Sequence, residues 1–124
     1  MRLPRTALLG ATLMVMMPVL AAAAPDAVVR GQALYEARCT GCHSVDAHRV
    51  GPLHRGVLGR RAGSAAGYDY SPALAASTLV WNRDALKRWL ADPEAVVPGQ
   101  RMGYSLDNAD ERAAIVDYLA TLKR

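Results

Sequence analysis

The chain has 124 residues, 15 Lys plus Arg against 11 Asp plus Glu, two cysteines and no phenylalanine. That length allows one domain with a thin core, the kind that needs a staple, a metal or a cofactor. The formal charge of +4 includes Arg2 and Arg5, which fall in a removable leader; without them, and with no basic cluster interleaved with aromatics, the composition excludes a dedicated nucleic-acid binder.

The chain starts MRLPRTALLGATLMVMMPVLAAAAP. Arg2 and Arg5 make a basic start, Ala7 to Leu20 is apolar, and Ala21 to Ala24 supplies the small residues that a signal peptidase reads, the three-part layout of a secretory leader. The uncharged run ends at Ala24 and contains Pro18, so it falls at or below the roughly 20 apolar residues of a spanning helix. The cut is expected after Ala23 or Ala24, giving a Sec-type signal peptide over residues 1–24 and a domain over 25–124. Arg2 and Arg5 are not adjacent, so no twin-arginine signal is present. Export to a bacterial periplasm follows, with no stable membrane insertion after cleavage.

A first helix is expected over Ala27–Arg38, with Asp26 as N-cap. It runs into RCTGCH, residues 38–43, which holds both cysteines of the chain. A zinc site would need further ligands that a single pair does not supply. A thioredoxin-like pair would need buried strands around it, and no stretch alternates apolar and polar residues for long. C-x-x-C-H is instead the signature of covalent haem attachment. Cys39 and Cys42 are spaced to reach vinyl groups on neighbouring pyrrole rings, and His43 is then carried beneath the iron.

Glycines at 51, 56, 59, 63 and 67 mark a long loop, unusual in length unless it has a task. Wrapping a haem is such a task. A short helix is expected to start at Ser71 with Pro72 in the favoured first position. Another fits Arg83–Ala91, capped by Asn82, stopped by Pro93 and carrying Leu86, Trp89 and Leu90 as its apolar stripe. The last should run from Ala109 to Leu122. There, Asn108 and Glu111 have capping-box spacing, and Ile115, Leu119 and Leu122 recur at helical intervals.

Haem iron needs a second axial ligand or stays open to small molecules. Met1, Met14, Met16 and Met17 would leave with the leader, so Met102, in the Pro-Gly loop VVPGQRMGY, is the methionine that remains. It is the favoured sixth ligand, with His48, His54, Lys87 and Lys123 as competitors. His48 and His54 lie on the same short loop as His43, so reaching the far face of the haem would be hard, and both are read as surface or hydrogen-bonded residues.

Four blocks in order, RCTGCH, VGPLHRGVLGRRAGSAAGYDYSPAL, LVWNRDALKRWLADPEAVVPGQRMGY and ERAAIVDYL, resemble the class I cytochrome c family, small soluble bacterial relatives of mitochondrial cytochrome c. The resemblance runs from about Val28 to Leu122. It implies an all-α cytochrome c fold, three to five helices with long loops wrapped around one covalently bound haem c. It also implies crossed N- and C-terminal helices, with Gly31 allowing the close approach and Tyr35 packing near Tyr118. Pro52 should offer its carbonyl to the His43 N–H. Tyr70 and Trp81 match positions that hydrogen-bond a haem propionate, and Arg60 one that offsets its charge. The chain departs from the mitochondrial pattern in its short segment after His43, in Trp89 where a tyrosine is usual, in Leu74 and Gln100 in place of polar residues near the haem, and in Glu94 where lysine is frequent.

With His43 and Met102 both on iron, no position is left for a substrate, so the resemblance implies an electron carrier and not an enzyme. Its partners would be redox proteins such as a cytochrome bc-type complex, a terminal oxidase or a periplasmic dehydrogenase, met by a monomer in brief, charge-steered contacts. Arg38, Arg49, Arg55, Arg61, Lys87, Arg88 and Arg101 could form the basic ring for such contacts. A haem subunit fixed in a larger complex, and a peroxidase or gas binder with Met102 off the iron, are the alternative readings.

Overall fold

The computed structural model describes residues 24–124; the leader expected over 1–24 lies outside the described residues apart from Ala24. Five helices follow in order: α1 (Pro25–Arg38), α2 (Pro72–Ala75), α3 (Arg83–Ala91), α4 (Pro93–Val96) and α5 (Ala109–Leu119). Extended pairing among the described residues amounts to one isolated antiparallel bridge between Arg61 and Val80, as expected of an all-α fold. None of the described helices is long and apolar enough to cross a membrane.

Local chemistry sets most helix ends. Ser71 accepts from Leu74 N–H (3.1 Å) to start α2, with Pro72 at its first position. Asn82 accepts from Ala85 N–H (2.8 Å) to start α3. Both satisfy an amide left without a helical partner. Two expectations need correction. Asp26 is not a cap: α1 begins two residues earlier than expected, at Pro25, with Ala24 in the cap position. Proline suits that first position because it has no amide to leave unpaired, and Asp26 inside the first turn still sets its charge against the positive end of the helix dipole. Pro93 ends α3, as expected, but it also opens α4, whose first amide turn is capped by the Asp92 side chain accepting from Ala95 N–H (3.1 Å).

Asn108 caps α5 by accepting from Asp110 and Glu111 N–H (2.9 and 3.0 Å). The Glu111 carboxylate does not return the bond. It reaches Arg38 of α1 at 3.4 Å, so the box is half formed and its second half joins two helices. The last helix also ends sooner than expected, at Leu119, with Thr121 and Leu122 in a tight turn behind it.

The main packing event is the crossing of α1 on α5. A Cβ on Gly31 would overlap the Ala114 carbonyl and stand 3.0 Å from Tyr118 Cβ, so only glycine allows this approach. Tyr35, 2% exposed, lies beside Tyr118 with ring centroids 5.2 Å apart. Ile115, Val116 and Leu119 join Leu86, Trp89 and Leu90 of α3 in one core. The long loop from residue 44 to Ser71 folds around this core. Positive φ at Gly56, Gly59, Gly63 and Gly67 turns the chain repeatedly. The loop is closed by backbone pairs from Gly59 N–H to Trp81 O (2.7 Å), Trp81 N–H to Arg60 O (2.9 Å) and Ala62 N–H to Leu79 O (2.7 Å).

Candidate functional site

RCTGCH continues α1 into a turn. Cys39 N–H donates to Tyr35 O (2.8 Å), and Cys42 and His43 N–H both donate to Cys39 O (3.1 and 2.9 Å). Cys39 is half-buried and Cys42 exposed. A thioredoxin-like pair would sit against a sheet, and among the described residues extended pairing is limited to one isolated bridge away from this turn. Among the described residues, no group of three or more His, Cys, Asp or Glu side chains gathers as a metal site of the zinc type.

His43 is fixed at one edge. Its Nδ1–H donates to the Pro52 carbonyl at 2.8 Å, which leaves the Nε2 lone pair as the one able to bind a metal. Burial lowers its pKa, against the smaller opposing effect of the Pro52 bond, so the ring is a neutral ligand near pH 7. A Cβ on Gly51 would overlap the imidazole; the glycine ahead of Pro52 lets the loop lie against the ring. Arg49 lies over the turn with its guanidinium on the carbonyls of Thr40 and His43.

The competing histidines are engaged elsewhere. His48 Nε2–H donates to Ala66 O (2.8 Å) while its Nδ1 accepts from Leu53 N–H (3.1 Å), a pair of bonds that settles a neutral tautomer and staples the loop. His54 is hydrogen-bonded through Nδ1 to the Tyr35 hydroxyl (2.9 Å). It also stacks on His43, with centroids 4.1 Å apart and planes 23° from parallel, a contact that sequence spacing could not reveal.

Met102 lies half-buried against the core and close to His43. Its loop is held by side chains that the sequence flagged only as departures from a family pattern. Gln100 Oε1 accepts from Met102 N–H (2.5 Å), and Gln100 Nε2 donates to the Glu94 carboxylate (3.1 Å). The other carboxylate oxygen accepts from Gly99 N–H (2.8 Å). Glu94 and Gln100 thus brace the methionine from α4. Their signal was present in the sequence only as two polar residues, one four residues before Pro98-Gly99 and one directly after it.

Arg60 is 8% exposed. Its terminal nitrogens donate to Leu53 O (3.0 Å) and Arg55 O (3.3 Å), but its Nε, buried, has no hydrogen-bond partner. Burial pulls its pKa down. An orphaned donor on a buried guanidinium asks for an anionic acceptor, and a propionate is one. Trp81, adjacent to Arg60 through the backbone pairs above, is buried edge-on to Trp89 at 5.2 Å. The Tyr70 hydroxyl accepts from Ala65 N–H (3.1 Å) and its ring meets Tyr68 edge-on. Paired thiols, a neutral imidazole with its Nε2 lone pair available, a nearby thioether and an orphaned cation fit a haem.

Residues 28–123 match the family model for cytochrome c. The chain belongs to the class I cytochrome c family. A cytochrome c2 iso-2 of Magnetospirillum molischianum is 43% identical over 88 residues, covering 68% of this chain and 91% of the relative. A cytochrome c2 of Rhodopila globiformis is 39% identical over 104 residues, covering 82% and 98%. The solved structure of cytochrome cH from Methylobacterium extorquens superposes with a TM-score of 0.72 at 38% identity, covering 76% of this chain and 97% of that one. As a cytochrome c with paired cysteines in the attachment motif, the chain carries one covalently bound haem c with its iron, on the helical fold expected for it.

Proposed function

We propose that this cytochrome c is an exported one-electron carrier of the periplasm, not an enzyme, in which His43 and Met102 would be the two protein ligands of the haem iron. The haem supplies one-electron exchange between Fe(III) and Fe(II). The protein's part is to tether, ligate and shield. Cys39 and Cys42 would form the thioethers, His43 would bind through Nε2 while Pro52 holds Nδ1–H, and Met102 would supply the thioether ligand. Arg60 offsets a propionate, with Tyr70 and Trp81 as its further donors. Thioether sulfur favours the reduced metal and raises the potential. The observation that supports this reading is the imidazole with Nδ1 committed to Pro52, leaving Nε2 for a metal, and a thioether close by.

Partners would be other redox proteins, of the cytochrome bc-complex, terminal-oxidase or periplasmic-dehydrogenase kind, met by a monomer. The basic ring imagined from sequence is thinner in the fold. Arg38 is paired with Glu111 and Arg55 with Asp46, whereas Lys87 and Arg88 form no ion pair among the described residues. Glu94 adds a negative charge beside the methionine loop. Electron-transfer rates with an acidic partner should therefore fall only modestly as salt rises. The deciding experiment is a redox titration of the purified holoprotein with its visible spectrum recorded. A far-red methionine–iron band in the ferric form is the expected result; a high-spin ferric spectrum with rapid cyanide binding would overturn the carrier.

A further inference from the structure

We propose that His54, held by Tyr35, is a positioning residue that sets the plane of the His43 ring by stacking on it. The inference rests on the reading of His43 as the nitrogen ligand.

A hydrogen bond at Nδ1 fixes one edge of an imidazole but leaves it free to rock about that edge. In this fold the remaining freedom is taken up by contacts on the ring itself. Gly51 lies against it closely enough to exclude a Cβ, and the His54 ring covers it at 4.1 Å, 23° from parallel. His54 is fixed in turn. Its backbone N–H donates to Ser44 O (3.1 Å) and the next amide, Arg55 N–H, to Val45 O (2.9 Å), so the segment carrying it is laced to the residues just after His43. Its Nδ1 meets the hydroxyl of Tyr35 at 2.9 Å, and Tyr35 is packed between this ring and Tyr118 at the α1–α5 crossing.

An apolar side chain could fill the same space without the cost of burying two ring nitrogens. The result is a path of contact from the helix crossing to the metal ligand: Tyr118, Tyr35, His54, His43. Ligand orientation tunes a haem through groups just behind the ligand. The plane of an axial imidazole decides how the iron d orbitals split, and the low-spin ferric g values report that splitting directly.

The test is ferric electron paramagnetic resonance and haem-methyl proton shifts on full-length holoprotein, wild type against His54→Leu, His54→Phe and Tyr35→Phe, with Tm measured alongside. His54→Leu should change the g-value spread and reorder the methyl shifts. His54→Phe, which keeps a flat ring on the imidazole, should stay near wild type. Tyr35→Phe should move the g values in the same sense as His54→Leu but less. Wild-type g values in His54→Leu, even with a lowered Tm, would reduce His54 to packing and overturn the proposal, as would His54→Phe behaving like His54→Leu. Should His54→Leu mature too poorly to measure, Tyr35→Phe decides alone: a shift supports the proposal and wild-type g values overturn it. A wild-type ferric spectrum that is not low-spin would instead remove the ligation reading, a separate failure.

Discussion

The two sides of the haem site are built differently. The imidazole side is held from far along the chain: His43 by Pro52 and Gly51, His54 by Tyr35 of α1, and Tyr35 by Tyr118 of α5. The thioether side is held mainly by neighbours: Glu94, Gly99, Gln100 and Met102 bond to one another within a few residues, the Glu94 bonds exposed and the Gln100–Met102 bond part-buried. Its distant ties are Leu106 N–H on Leu90 O (2.8 Å) and Arg101 on Asp69 O (3.4 Å). Buried contacts between distant elements open only when the fold opens, while exposed local bonds open on their own at lower cost. Under the proposed ligation, the imidazole should therefore stay on iron as long as the protein is folded, and the methionine should leave first.

The largest test of that contrast is Gly31→Val. The new side chain meets a backbone carbonyl that cannot swing aside, so α1 and α5 must separate. A loss at or above the roughly 3 kcal/mol upper range of ordinary overpacking is expected. Urea unfolding followed at both ligands should show the imidazole and the global fold lost together.

Gln100→Ala acts on the other side. It removes the acceptor of Met102 N–H and a donor to Glu94, about 1 kcal/mol of hydrogen bonding. Global stability should fall by no more than that, yet the methionine-off population should rise about fivefold. Cyanide binding to the ferric protein measures it. An unchanged binding rate would show that the brace does not hold the ligand.

Glu94→Lys should combine a smaller gain in cyanide binding with a steeper salt dependence of electron transfer to an acidic partner, since it converts the one carboxylate of the brace into a cation. Stopped-flow rates at low and high ionic strength read both.

The smallest effect is expected at Asp46, exposed and paired with Arg55. The Arg55 hydrogen bond holds its carboxyl below the usual range. A carboxyl lowered in the folded state contributes stability above its unfolded-state pKa and loses it as pH falls through the folded value. Asp46→Asn should slightly flatten the acid limb of a Tm-against-pH curve and leave Tm at pH 7 nearly unchanged.

How legible each part was follows from the distance over which it is determined. The starts of α2, α3 and α5 were readable because a cap is a side chain bonding an amide two or three residues on, and Ser71, Asn82 and Asn108 do so. The thiols and imidazole of RCTGCH were readable because adjacent residues in one turn need no tertiary contact to be brought together. Where a local pattern offered two solutions, spacing alone chose wrongly or not at all. Glu111 had the spacing to close a capping box and instead bonds Arg38; Asp26 could cap, but Pro25 is the better helix start.

By itself the sequence determined the attachment motif and the helices α1, α2, α3 and α5, because each depends on residue type within one or two turns; the glycine at the α1–α5 crossing came only through the family resemblance, since what excludes a side chain there is Ala114, far along the chain. Tertiary structure alone decided what His54, Glu94 and Gln100 do. His54 is eleven places from the ring it covers and nineteen from the hydroxyl that holds it. The partner of such a side chain is set by how loops close over the core, which no spacing rule encodes.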